Sequence, residues 1–266
     1  MSEAFIVSRV FGGIGLFWLM CACIIRLWKK RWIPAAAYGL AGAALILFLS
    51  WYPLGFRTQE QADGDRHRLL VPRAGKIVVF GSWEQDNDPE NGPEPISWQV
   101  LDVQDNEVLM TSFYTLDRHR YAQDYANCTW AESDMRLWLN TDFYQTAFTP
   151  EEQARILETP LVTAANTVYD VSSGEDTVDR IFLLSVEEVK QFMPETEDRT
   201  CSPTPFALAK NAFANEYGNA WWMLRTSGEN GRSIVYINSD GTFNFEGCTV
   251  NSDGGSTRPA LRIRWE

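Results

Sequence analysis

An α+β fold is what the sequence predicts for the region after residue 75, and three observations carry that expectation. Segments rich in β-branched residues cluster near residues 76–112 and again over 220–265. Capped helix starts fall between the two clusters. Strand and helix do not alternate in the regular order of a parallel βαβ sheet, so the two should segregate. Ahead of this region stand two uncharged apolar runs that read as a membrane anchor.

Residues 10–25 (VFGGIGLFWLMCACII) carry no charge, and the apolar pattern reaches back to Phe5 if Arg9 snorkels. Residues 33–56 form a second run of 24 without a charge. Both approach or exceed the ~20 residues that cross a hydrocarbon core. Four cations in RLWKKRW separate them, flanked by Trp28 and Trp32 as at a headgroup interface. A cleaved signal peptide fits less well. The charges follow the apolar stretch, no small-residue cleavage site appears, and a second span comes at once. Residues 1–57 are therefore expected to form a transmembrane hairpin, with the lipid bilayer as partner through residues 5–56. The Lys29-Lys30-Arg31 loop should stay in the cytoplasm, which puts both termini outside. Arg57, Arg66, Arg68, Arg73 and Lys76 argue the other way, but Glu60, Asp63 and Asp65 dilute them and a long domain follows. The expected location is a cell membrane, multi-pass, with the domain extracytoplasmic.

Residues 58–74 are polar, lack an apolar period and read as a juxtamembrane linker to a globular domain over 75–266. Lys76–Phe80 is the first strand, and Gln85–Pro95 a turn-rich loop. Ser97–Val103 and Glu107–Ser112 should pair as a hairpin. Ser133 caps a helix through Asn140, with Leu137 and Trp138 on its buried face and Arg136 and Asn140 on its flank. Thr149-Pro150-Glu151-Glu152 combines an N-cap, a first-turn proline and a capping-box glutamate, and Ser185-Val186-Glu187-Glu188 repeats the box after a strand over Arg180–Leu184. Thr204-Pro205 opens a helix into Ala214. Ala220–Thr226 is a strand, Ser233–Asn238 and Thr242–Glu246 flank the turn Ser239-Asp240-Gly241, and Arg258–Trp265 closes the domain.

Charge narrows the function. The chain has 23 basic and 35 acidic residues; six of the cations and Glu3 alone fall in residues 1–57, which leaves 17 and 34 for the rest. So acidic a surface repels phosphate backbones and excludes nucleic acid as a partner. A content of 45% hydrophobic and 13% aromatic residues excludes a disordered chain. Two histidines, His67 and His119, leave little for a His-rich metal site. Asp86, Asp88, Glu90 and Asn91 crowd oxygen ligands into six positions, like the start of an EF-hand Ca²⁺ loop. Asn91 stands where that loop needs glycine and no helix flanks it, so a solvated loop is expected, with no metal or cofactor. Cys128, Cys201 and Cys248 permit one disulfide and one leftover thiol, the pairing being open. Neither a CxxC pair nor a Gly-rich phosphate loop occurs in the domain, and no spacing recommends a Cys/His nucleophile. Seven tryptophans lie there, most of them expected in the core; alternation sends Trp221 and Trp222 to opposite faces, which leaves one accessible.

Five stretches occur in order: SWEQDNDPENGPEPISWQVLDV, WAESDMRLWLNTDFYQTAFTPEE, TVDRIFLLSVEEV, WWMLRTSG and RPALRI. Together they resemble a bacterial domain-of-unknown-function family found in Gram-positive gut bacteria, over residues 75–266. Met223 inside Trp-Trp-Leu-Arg, and Thr226 in place of serine, depart from its pattern. The Trp-Trp-x-Leu-Arg and Arg-Pro-Ala-Leu end is in turn similar to the C-type-lectin-like fold of sulfatase-modifying, formylglycine-generating proteins. That resemblance implies a lectin-like fold, and the family resemblance makes the membrane predicted from the two apolar runs a bacterial one. It does not imply the oxidase chemistry, because only Cys248 stands where those enzymes use a cysteine pair, and the lectin Ca²⁺ motifs Glu-Pro-Asn and Trp-Asn-Asp are absent.

The expected function is therefore recognition of an unknown glycan or protein ligand by a non-catalytic, membrane-anchored domain. A structural lobe of a membrane complex and an enzyme acting on envelope glycans or peptides are the alternatives. In lectin-like folds the C-terminal strands and loops form the ligand face. Here that face would comprise Trp222 as a platform, with Arg225, Asn230, Arg232, Asn251 and Asp253 supplying polar contacts, in loops that Gly228, Gly231, Gly254 and Gly255 let close on a ligand.

Overall fold

Strand pairing in this protein joins residues that lie far apart in the chain. The computed structural model describes residues 72–265. The expected transmembrane hairpin and nearly all of the linker lie outside the described residues. Contacts divide the chain between His67 and Arg68, and every described residue falls in the second unit. Among the described residues no helix is long and apolar enough to cross a membrane.

The main sheet has five strands in the order β1 (Ile77–Trp83), β2 (Glu94–Gln104), β3 (Glu107–Ser112), β10 (Ala260–Arg264) and β6 (Ile181–Phe182). All its pairings are antiparallel. Period-two alternation buries Ile96, Trp98 and Val100 of β2 and leaves Ser97 and Gln99 half-exposed, until a bulge before Asp102 shifts the register. β4 (Thr159–Leu161) and β5 (Thr177–Asp179) form a two-stranded ribbon. A third sheet carries β7 (Trp222–Ser227), β8 (Ser233–Ile237) and β9 (Phe243–Thr249). The domain is thus a mixture of helix and sheet, 19% and 34% of its residues.

Helices follow the local signals. Ser133 accepts a hydrogen bond from the Arg136 N–H and caps the helix Asp134–Trp138. That helix runs through a π turn, Leu139–Phe143, into Tyr144–Ala147. The wider turn keeps positions four apart in line, so Met135, Leu139 and Phe143 form the buried face. Leu137, expected there, is 63% exposed, and Trp138 is half-buried. Arg136 and Asn140 do bond to neighbouring segments. Arg136 pairs with Asp179 at 2.7 Å, and the Asn140 amide donates to the Ile181 carbonyl at 2.8 Å and accepts from the Arg180 N–H at 2.9 Å. Both capping boxes form, on Pro150–Gln153 and Val186–Phe192. The helix after Thr204 ends at Ala209, well short of Ala214, because Asn211 adopts a left-handed φ of 67°. β6 is shorter than expected because Leu183 and Leu184 leave the sheet and turn their carbonyls to Arg225.

Candidate functional site

The expected recognition face does not assemble as such. Trp222 is 0% exposed, and its indole N–H donates to the Arg199 carbonyl at 2.9 Å. It is core, not a platform. Every residue of β7 is buried, so alternation along it carries no information about solvent. Arg225 is 2% exposed; it pairs with both Glu188 oxygens and donates to the Leu183 carbonyl at 2.9 Å. It ties strand to helix and cannot meet a ligand.

The other four residues stay at or near the surface. Asn230 folds over its own turn, accepting from the Arg232 N–H at 2.8 Å. The Val250 N–H reaches the Arg232 carbonyl at 3.0 Å and brings that turn beside half-exposed Asn251. Arg232 lies over the Tyr125 ring at 5.0 Å. Asp253 is clamped by Arg118 at 2.7 Å and Arg120 at 2.5 Å. The Arg120 hydrogen bond holds its carboxyl below the usual range. The glycines serve the protein's own packing. A Cβ at Gly228 would run into the Glu246 carbonyl, and one at Gly255 would meet the Trp221 ring at 2.8 Å. Trp221, not Trp222, is the half-exposed indole of the pair.

In the loop where the sequence crowds Asp86, Asp88, Glu90 and Asn91, it is Glu84, Asp86 and Glu94 that bring ligand atoms within 4.8 Å of one another. Their oxygens are engaged within the loop. Gln85 N–H donates to Glu94 at 2.7 Å, Asp88 N–H to Asp86 at 2.8 Å, and the Asn91 amide to Asp86 at 2.8 Å. A self-capped turn accounts for them. The three domain cysteines are free thiols. Burial pushes Cys128 up to about 11 and Cys248 up to about 12, and raises Cys201 as well, so none is a ready nucleophile at neutral pH.

An aromatic cluster joins Trp83, Trp138 and Phe143, with His119 stacked on Trp138 at 4.5 Å. Burial holds His119 below its ordinary value of 6.5; Asp117, Asp134 and Asp142 oppose this and Lys210 reinforces it. With the folded value lowered, the unfolded chain takes up the proton first as the pH falls. Stability should therefore decline below about pH 6.5, and His119→Phe should flatten that decline. Urea unfolding at several pH values, wild type against variant, checks this. Parallel slopes would show that His119 does not carry it.

One cavity has an unmatched charge in its wall. It measures about 330 Å³ and is lined by Gln99 of β2, Phe113 and Tyr114 beyond β3, Glu197 and Asp198 of the helix Thr196–Arg199, and Arg258 ahead of β10. The Phe113 N–H on the Ser97 carbonyl (2.8 Å) and the Thr115 N–H on the Ser202 carbonyl (3.1 Å) fix its walls. Arg258 is 1% exposed and lies over the Trp222 ring at 4.8 Å. Its Nε donates to the Ser112 carbonyl at 3.0 Å and Nη2 to Gln99 at 3.3 Å, while Nη1 has no partner. Among the described residues no carboxylate pairs with it. Burial lowers its pKa, yet a guanidinium stays protonated, so the pocket wall holds an uncompensated cation. A second cavity, about 430 Å³, differs because both of its cations are already matched, Arg136 to Asp179 and Arg180 to Glu158.

Sequence reasoning used Arg258 only as part of a motif. The available signal was a charged residue beside a proline just ahead of the last strand, Arg258-Pro259-Ala260-Leu261. The fold defines a mixed helix and sheet domain with an antiparallel central sheet. Residues 105–265, which include β3 to β10 and Arg258, match the family described as Domain of unknown function (DUF6273), and the chain belongs to that family. No curated protein and no solved structure matches the chain.

Proposed function

We propose that this chain is a membrane-anchored recognition protein whose domain stands outside the cell and binds a small carboxylate-bearing ligand without transforming it. The anchor and orientation rest on the two apolar runs and the Lys29-Lys30-Arg31 loop. The likeness to C-type-lectin-like, sulfatase-modifying proteins rests on the Trp-Trp-x-Leu-Arg and Arg-Pro-Ala-Leu end and belongs to the same reading. Binding rests on one observation, the buried guanidinium of Arg258, which lines a cavity, has no carboxylate partner among the described residues and leaves Nη1 without a hydrogen bond. A carboxylate there would supply the missing counter-charge through charge-assisted hydrogen bonds. The raised thiols favour binding over nucleophilic chemistry.

Calorimetric titration of the full chain in detergent with a panel of small carboxylates tests the site. Arg258→Gln should weaken the best binder at least about tenfold, the loss of a charge-assisted pair. Binding by none of the panel would sink the reading. Topology has its own assay. Tyr217 is 81% exposed, so Tyr217→Cys in a Cys248→Ser background should label with an impermeant maleimide on intact cells. Labelling only after lysis would reverse the orientation.

A further inference from the structure

We propose that the Arg258 pocket selects a small zwitterion, with its carboxylate inward and its ammonium group at the mouth. The inference rests on the reading that this pocket is the ligand site, and adds the class of ligand it takes.

The pocket is polarised. Its buried wall carries the Arg258 cation, with Gln99 beside it as a neutral hydrogen-bonding group. Its mouth carries Glu197 and Asp198, both exposed and neither paired with a cation among the described residues. Phe113 and Tyr114, also exposed, stand edge to face at 5.0 Å on the same mouth. Each ligand charge pattern meets this arrangement differently. A simple anion can match Arg258 but must lie beside two carboxylates. A simple cation can match the mouth, where acidic groups and aromatic faces both attract it, but leaves the guanidinium buried and unpaired. A molecule carrying both charges satisfies both ends and forces neither repulsion. The cavity volume of about 330 Å³ admits an amino-acid-sized molecule.

The test compares matched probes on the full chain in detergent. These are ω-aminoalkanoates from glycine to 6-aminohexanoate, the n-alkanoates of equal length, and the corresponding alkylamines. At least one ω-aminoalkanoate should bind about tenfold more tightly than its alkanoate, with the alkylamine weakest. The exposed double variant Glu197→Gln/Asp198→Asn should erase that preference and leave alkanoate binding equal or stronger. Arg258→Gln should abolish binding of both carboxylate series. Should that variant lose its cooperative melting transition, the double variant alone decides. Alkanoates binding as tightly as ω-aminoalkanoates would overturn the zwitterion and leave a carboxylate pocket standing. A preference that survives in the double variant would also overturn it. Failure of every carboxylate, or unchanged binding in a folded Arg258→Gln protein, would remove both this inference and the reading beneath it.

Discussion

Trp222→Ala is expected to destabilise the domain by about 3–5 kcal/mol. The indole is fully buried, and its truncation removes the ring as well as the hydrogen bond from Nε1 to the Arg199 carbonyl. It also takes away the surface against which the Arg258 guanidinium rests at 4.8 Å. Both losses fall in one place, because Arg199 anchors the helix that carries Glu197 and Asp198. A ligand platform at the surface would behave otherwise, losing affinity with less than about 1 kcal/mol of stability. Urea unfolding of residues 68–266 distinguishes the two. A midpoint close to wild type would mean that Trp222 is not in the core.

Glu188→Ala should cost about 3 kcal/mol, toward the low end for a broken buried pair because Glu188 itself is partly exposed. Two consequences follow from the one truncation. Arg225, 2% exposed, is left with carbonyl partners alone, and the Ser185 N–H loses the acceptor that closes the capping box at 2.8 Å. Replacing both members, Arg225→Met with Glu188→Met, should give a protein more stable than the Glu188→Ala variant, because no charge is then buried without a partner. The same unfolding assay reads both. A double variant that unfolds below Glu188→Ala would show that the unpartnered Arg225 charge is not the main cost of that truncation.

What the sequence made legible was local. The caps at Ser133, Thr149 and Ser185 form within four residues of their own signals, and the hairpins around Gln104 and Asp240 close over short turns. The exposure of Leu137 is not legible in the sequence, because the π turn that sets the helix face has no propensity signature of its own. The burial of Trp222 and Arg225 is equally hidden, because alternation separates the faces of a strand without saying whether either is wet. The pocket was out of reach for a different reason. Its lining is drawn from residue 99 to residue 258, and Arg258 meets the Ser112 carbonyl across 146 positions of chain. No short window holds such a site.

The position of β10 governs how the domain can be made. It lies between β3 and β6, so the last of the described strands in chain order occupies an interior place in the main sheet. Its approach is fixed by contacts such as the Thr111 hydroxyl on the Pro259 carbonyl, 148 residues apart. During vectorial synthesis β3 and β6 must therefore wait with open edges until β10 leaves the ribosome, and a nascent chain stalled anywhere earlier cannot close its sheet. Chains ending before residue 258 should accordingly be cleared by proteolysis rather than accumulate as shortened but folded protein.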